Sequence, residues 1–315
     1  AEAFGVNVGN DDLAAICSLQ DLSNELGLDM HEGGDVIGMA MDWFEQGIIT
    51  KKDTDGIDLT WGNVDAIIDI LNKIARTEGF GEVLAKGVKG ACEAMDLKFK
   101  RPGNIKGMGM TYKDLRGGKS WALAYAVNPR GADHLKGYPV FEAIGDRETA
   151  KTMFGTEEIV NPYSDNPAKG RMVKWHEDFI AVLSSTGLCI LECLFLFSSV
   201  DMKMISRMFS AATGWDVNEE ELWKSGERIY HLFKGYNIRL GMTSKDDTIP
   251  EYFIKEPVPI GPAKGQKVQL SGMKKAYYVA RGWNPENGLP SKKKLEELEL
   301  DEIAEDLQAY GKLTD

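Results

Sequence analysis

Two short stretches of the sequence have nearly the same form, and each ends in a residue that can bind a polar or metallic group. Residues 24–29 read NELGLD, and residues 184–189 read SSTGLC. In the first stretch, Gly27 is typical of the left-handed residue that ends a helix, and Leu28 of the apolar residue that packs after it. Such a helix end also presents backbone amides and the side chain of Asp29, which could bind a ring edge through hydrogen bonds.

Cys189, at the end of the second stretch, has two interpretations. It lies in an apolar run, where a thiol usually packs without reacting. A thiolate at a helix end can instead ligate an iron–sulfur cluster, but a cubane needs four ligands and this chain has no CxxCxxxC group. Cys193, one helical turn further on, is expected to lie in the core. The residues alone leave both interpretations of Cys189 open.

Residues 128–137, NPRGADHLKG, carry three side chains that suit an anionic ligand: Arg130, His134 and Lys136. Cationic groups beside glycines fit a phosphate or carboxylate, because glycine lets the backbone approach a ligand closely. His134 can act as an acid, a base or a hydrogen-bond donor to an oxygen atom. The alternative is a solvated basic turn. The remaining histidines have no comparable surroundings and are expected to be structural: His31, His176 and His231.

The composition is that of a soluble globular protein, with 43% hydrophobic and 27% charged residues among 315. A net charge of −12 argues against a nucleic-acid partner or an anionic membrane surface. Four widely spaced cysteines favour a reducing, cytoplasmic location.

Residues 180–200 carry one charge, Glu192, but their serines and glycine favour a core helix over a membrane span. The first residues, AEAFGVNVGN, include neither Met nor a signal peptide, and we expect an upstream part to be missing.

Helical periodicity dominates the segments that must position these residues. It predicts helices over residues 11–26, 35–46, 60–79, 81–95, 168–185, 191–209, 219–234 and 270–281, and a short one ending at residue 310. Residues 97–166 are rich in glycine and proline, which predicts a loop-rich segment that displays binding groups. Alternation typical of strands is rare. The fold is therefore expected to be mainly α.

Several blocks, taken in order, resemble one family, the tungsten-dependent aldehyde:ferredoxin oxidoreductases. The first is GNDDLAAI followed by LSNELGLD, and the second is TWGNVDAIIDILNKIARTEGFGEVLAKGV. WALAYAVNPRGADHL is similar to a central phrase of the family. YNIRLGMTSKDDTIPEYF and YYVARGWNPENGLPSKKKLEELEL resemble its C-terminal blocks. Because the agreement is collinear over nearly the whole chain, it is more specific than any single motif.

The resemblance implies an architecture of two helical domains of related design around a central cofactor cleft. The first domain would cover residues 1–130 and hold the first pterin motif. The second would cover residues 131–315 and hold the second pterin motif with the cluster cysteine. The N-terminal β-rich domain of the family is absent from this chain.

The resemblance also implies roles for individual residues. Asn24, Gly27, Leu28 and Asp29 would contact one pterin. Ser184, Gly187 and Leu188 would contact a second pterin, and Cys189 would be the last ligand of a [4Fe–4S] cluster. Lys136 matches a pterin-binding lysine, and Arg130 is assigned to cofactor binding with it. His134 matches an active-site histidine that hydrogen-bonds the substrate oxygen.

The implied cofactors are a tungsten or molybdenum bis-pterin, a [4Fe–4S] cluster, and Mg²⁺ bridging the pterin phosphates. The implied activity is oxidation of aldehydes to carboxylates, with electrons passing through the cluster. The expected partners are ferredoxin or an iron–sulfur electron-transfer subunit, and an N-terminal domain or chain that carries CxxCxxxC. The protein is expected to be an oligomer.

Departures from the family pattern keep alternatives open. The clustered cysteines and a tyrosine–glutamate pair of the family are not found in this sequence, and Ser184 replaces a usual aspartate. The chain is therefore interpreted as the C-terminal part or subunit of an enzyme that a second part completes. One alternative is a non-catalytic assembly or interaction subunit. Another is a family member that reduces a different substrate, such as an aromatic acyl thioester.

Overall fold

The computed structural model describes residues 2–97, 103–110, 113–195 and 200–314. These ranges are mainly helical, as the sequence predicts. Their contacts divide the chain into two compact units, Ala1–Asp114 with Arg130–Ala132, and Leu115–Pro129 with Asp133–Asp315. The domain boundary placed at residue 130 from the sequence stays a prediction.

The first unit contains five helices and a short antiparallel hairpin among its described residues. The helices are α1 (Leu13–Glu25), α2 (Met30–Glu45), α3 (Val64–Arg76), α4 (Phe80–Leu84) and α5 (Gly87–Ala94), and the strands are β1 (Asn104–Ile105) and β2 (Met108–Gly109). Local sequence fixes several helix starts. The carboxylate of Asp12 accepts from the backbone N–H groups that open α1, and the side chain of Asn63 does the same for α3. The largely buried helix α2 runs through the apolar core of this unit.

The second unit contains twelve helices among its described residues. They are α6 (Lys119–Val127), α7 (His134–Gly137), α8 (Phe141–Ile144), α9 (Arg147–Phe154), α10 (Lys169–Thr186), α11 (Ile190–Phe195), α12 (Met202–Thr213), α13 (Glu219–Arg239), α14 (Glu251–Lys255), α15 (Leu270–Ala280), α16 (Lys292–Glu297) and α17 (Asp301–Ala309). Helix α10 packs against α6, α7, α13 and α15. It is therefore the central element of this unit.

Three predicted elements are corrected by the structure. The second helix begins at Met30 rather than residue 35, because the Asp29 carboxylate caps it there. The predicted helix 81–95 is divided at residues 85–86, just before Gly87, which has φ of +71°. The predicted helix 191–209 is wrong as one element, because Asp201 has an extended backbone and caps a new helix; residues 196–199 of that prediction lie outside the described residues.

The predicted loop-rich segment, residues 97–166, also needs correction. It contains α6, α7, α8 and α9 in addition to the hairpin.

Among the described residues, no helix is both long enough and apolar enough to cross a bilayer.

Candidate functional site

Residues 24–29 form the helix end that the sequence predicts. Gly27 follows α1 with φ of +69°, a left-handed conformation that favours glycine. The backbone N–H of Leu28 donates to the carbonyl oxygen of Ser23 at 2.9 Å, which is the long bond of a Schellman motif. Leu28 packs against the core of the first unit. The helix end is therefore locked by hydrogen bonding and by apolar burial.

Asp29 turns the chain directly from this helix end into α2. Its Oδ1 accepts a hydrogen bond from the backbone N–H of Glu32 at 2.8 Å. The Asp29 side chain is exposed, and its own backbone N–H donates to no acceptor within the described part of the chain. Asp29 thus combines a structural cap with an N–H group that a ligand could bind.

Residues 184–189 repeat this geometry in the second unit. Gly187 follows α10 with φ of +77°, and the backbone N–H of Leu188 donates to the carbonyl oxygen of Leu183 at 3.0 Å. Leu188 packs against an apolar cluster of that unit. Cys189 comes next, immediately before α11, so it occupies the place that Asp29 has in the first motif. The doubled sequence pattern is therefore a doubled structure.

Both turns are open to a ligand within their own units. A methyl group added at Gly27 or Gly187 would meet nothing within 4 Å. The polar residues that begin the two motifs, Asn24 and Ser184, are exposed. The backbone N–H of Cys189, like that of Asp29, finds no acceptor among the residues that the structure describes. Each turn can offer a backbone donor and a side chain to a flat polar group.

Cys189 is exposed and its thiol is not in a disulfide, so it is accessible to a metal. Burial raises the pKa of the neighbouring Cys193 thiol, which lies in the apolar cluster and suits packing rather than ligation. No group of three or more metal-binding side chains occurs within the described ranges. A [4Fe–4S] cluster takes four protein ligands. The donor chemistry of Cys189 therefore fits one corner of such a cluster, and further ligands would have to come from elsewhere.

His134 and Lys136 lie together on α7 rather than on the glycine-rich loop predicted from the sequence. Asp133 caps this short helix, accepting from the backbone N–H of Leu135 at 2.8 Å. The buried side chain of Asn128 donates to the Asp133 carbonyl oxygen at 2.7 Å and so closes the preceding turn. Arg130 is exposed and is grouped by its contacts with the first unit. Of the three predicted residues, His134 and Lys136 share one helix, α7.

Tyr230 hydrogen-bonds to α7 and was not predicted from the sequence. Its hydroxyl donates to the carbonyl oxygen of Lys136 at 2.8 Å, and its ring lies 4.5 Å from the guanidinium of Arg281. Arg281 pairs with Glu177, whose carboxylate also accepts from the Tyr277 hydroxyl at 2.7 Å. All four side chains are buried. They come from α10, α13, α15 and the residue that follows α15, so no local pattern in the sequence could have indicated this network.

The remaining histidines are not part of α7 or of the two turns. His176 and His231 are fully buried in the second unit, and burial lowers the pKa of His176 to about 3. His31 is half-buried near the start of α2. None of them lies on α7 or on the two helix ends.

The fold and the two matched turns define a helical protein with backbone donors displayed at paired helix ends. Residues 1–300 match the family model described as aldehyde ferredoxin oxidoreductase, domains 2 & 3. The chain therefore belongs to the aldehyde ferredoxin oxidoreductase family.

Individual relatives agree with this placement. The chain is 33% identical over 306 residues to the tungsten-containing aldehyde ferredoxin oxidoreductase of Pyrococcus furiosus, covering 96% of this chain and 48% of the relative. It is 27% identical to the aliphatic sulfonate oxidoreductase, WOR-like subunit, of the same organism, covering 98% and 46% of the two chains. The chain thus spans about half the length of these curated relatives.

A solved structure shares the fold. It is the active site complex BamBC of benzoyl coenzyme A reductase in complex with 1,5-dienoyl-CoA, with a TM-score of 0.73 and 20% sequence identity. The similarity covers 96% of this chain and 49% of that chain.

Proposed function

We propose that this chain is the cofactor-holding, C-terminal part of a tungsten–pterin oxidoreductase that oxidises aldehydes to carboxylates. The observation that carries the proposal is the repeated Schellman turn, followed at Asp29 and at Cys189 by a backbone N–H that has no acceptor among the described residues. The aldehyde substrate is supported by the name of the relatives at 33% identity, compared with 27% for the sulfonate enzyme. Electrons would pass through a [4Fe–4S] cluster to ferredoxin or a similar iron–sulfur partner in the cytoplasm.

Each group of candidate residues has a separate task in this proposal. Asn24, Gly27, Leu28 and Asp29 would hold one pterin, and Ser184, Gly187 and Leu188 the other. Arg130 and Lys136 would bind anionic groups of the cofactor, and Mg²⁺ would neutralise part of the charge of its phosphates. Cys189 would ligate the cluster, and the N-terminal domain or chain with CxxCxxxC would supply the remaining thiolates.

The chemistry of the step needs little from protein side chains. A tungsten–pterin centre, when bound, supplies two-electron acceptance and Lewis acidity. His134 would donate a hydrogen bond to the substrate carbonyl oxygen, where negative charge develops during the reaction. Asp133, Asn128 and Tyr230 hold the backbone of α7 in place, so that the helix carrying His134 is ordered before the substrate arrives.

Replacing Cys189 with alanine tests the cluster assignment in the complete, assembled protein. We expect the variant to lose iron and acid-labile sulfide, because a cubane that lacks one thiolate ligand is labile. Cys17→Ala is the matched control, since Cys17 is also exposed and free but has no assigned ligand role. Unchanged iron in the Cys189 variant would reject the assignment. Wild-type protein that contains neither tungsten nor iron would instead favour the non-catalytic assembly subunit.

Replacing His134 with asparagine tests the catalytic assignment. We expect turnover of an aldehyde to fall about tenfold, because a weaker, less well placed donor stabilises the developing charge less. Tungsten content should be unchanged, since this side chain has no assigned cofactor contact. Turnover equal to that of the wild type, measured with ferredoxin or a viologen as acceptor, would remove His134 from the mechanism.

A further inference from the structure

A separate cavity lies in the second unit, between α8, α9 and α10 and the N-terminal ends of α12 and α13. Its volume is about 430 Å³, within the range of small-molecule sites. None of its lining residues belongs to the two helix ends or to α7. The proposed redox function therefore gives this cavity no role.

Aromatic rings form much of the cavity wall. The lining includes Phe141, Trp175, Phe179 and Trp223. Trp175 stacks on Phe179, with ring centroids 5.4 Å apart and planes within 8° of parallel. Trp223 lies 5.7 Å from Trp175 and 6.0 Å from Phe179. Because the three rings contact one another and Phe179 is buried, the wall is held in place before any ligand binds.

Three carboxylates complete the lining, and no lysine, arginine or histidine is among the lining residues. Asp146 and Asp201 cap α9 and α12 through one oxygen each, accepting at 2.8 Å and 2.7 Å from backbone N–H groups. The second oxygen of each carboxylate has no partner within the described ranges. Hydrogen bonds from Thr149 lower the pKa of the Asp146 carboxyl. The exposed Glu219, in the first turn of α13, is the third carboxylate.

The sign of the local charge decides the class of ligand. Each helix N-terminus contributes about half a positive charge, and three of them meet this cavity. Three full negative charges outweigh that contribution, so an anion would be repelled. Aromatic rings attract cations through their quadrupoles, and this attraction strengthens when the cation is removed from water. A neutral ligand would contact the rings but would gain no charge–charge attraction from the carboxylates.

We propose that this cavity binds an organic cation, a quaternary ammonium or protonated amine whose apolar groups pack against Trp175, Phe179 and Trp223. Asp146, Asp201 and Glu219 supply the opposing charge. This site is independent of the proposed redox function and requires no electron transfer. Its ligand can therefore be sought by binding alone.

Calorimetric titration of the complete protein with choline and with 3,3-dimethylbutan-1-ol tests the proposal. The two probes have nearly the same shape, but only choline is charged. We expect choline to bind roughly tenfold more tightly than the alcohol, with an affinity that falls as salt is added. Equal affinities would overturn the cation proposal and leave an apolar pocket. Absence of choline binding would overturn it as well.

Two substitutions test whether choline binds in this cavity. Asp201→Asn removes a charge but keeps a good helix cap, so stability should hold while choline affinity falls several-fold and alcohol affinity does not. Asp12→Asn, at the cap of α1, is the matched control and should leave both affinities unchanged. Trp223→Leu should weaken choline binding about tenfold. Choline binding that neither Asp201→Asn nor Trp223→Leu weakens lies elsewhere and contradicts the proposal.

Discussion

The variant Arg281→Leu is expected to unfold with a free energy about 3–5 kcal/mol below that of the wild type. Arg281 is fully buried, 2.5 Å from Glu177 and in contact with Asp178. Its Nε also donates to the Tyr277 hydroxyl at 3.1 Å. Leucine would leave the buried Glu177 carboxylate without its cation, while Asp178 would keep its ion pair with Lys174. An unpaired buried charge is the main cost when one partner is removed.

The size of this effect should depend on pH. Burial raises the pKa of Glu177 from 4.5 to about 7. Protonation of this carboxyl therefore adds to the free energy of unfolding at low pH, and this stabilisation is lost as the pH rises through 7. Without the guanidinium, which lowers this pKa, the carboxyl would take up a proton at higher pH still. The loss in free energy of unfolding caused by Arg281→Leu should therefore be smaller at pH 5 than at pH 8.

Urea unfolding at both pH values measures this difference. Lys275→Leu is the matched control, because the pair Lys275–Glu286 is separated by 2.7 Å but its side chains are 49% and 71% exposed. Exposed pairs contribute at most about 1 kcal/mol. A loss in Arg281→Leu no larger than that of the control, or one that does not change with pH, would show that the network does not work as a buried ion pair.

The helix ends could be predicted from the sequence because their signals are local. A glycine with an apolar residue after it encodes a Schellman turn within six residues, and this held at both Gly27 and Gly187. The Asn63 cap of α3 is a local signal of the same kind. Whether a pterin or solvent lies against such a turn is not encoded in the same residues, so the pterin contacts rest on the resemblance.

Other features could not be predicted from the sequence, because they depend on burial or on contacts between distant segments. Helix α6 was missed because its residues are buried on nearly every side, which removes the periodic apolar stripe that marks a surface helix. The sequence prediction also missed the interruption before α12, which Asp201 caps. Tyr230 and Arg281 were missed because their partners lie 94 and 104 residues away. Contacts of that range are set by packing, and no sequence window contains both partners.

Gly226 in α13 illustrates how closely that packing is fitted. A methyl group at this position would lie 2.3 Å from the carbonyl oxygen of Asp178 in α10, far inside van der Waals contact. Glycine therefore lets the two helices approach at the point where Asp178 meets Arg281. Gly226→Ala should force the helices apart and lower the free energy of unfolding by about 1–3 kcal/mol, because backbone atoms cannot rotate away as a side chain can.

Gly272 in α15 provides the matched control for this prediction. It is exposed, and a methyl group there would meet only Pro167, at 3.8 Å. Helix propensity alone favours alanine over glycine by about 0.5–1 kcal/mol, so Gly272→Ala should stabilise the protein by that amount. The same substitution is thus expected to have opposite signs at two helical positions. If urea unfolding shows that both variants gain stability, the close approach of α10 and α13 at Gly226 does not constrain the fold.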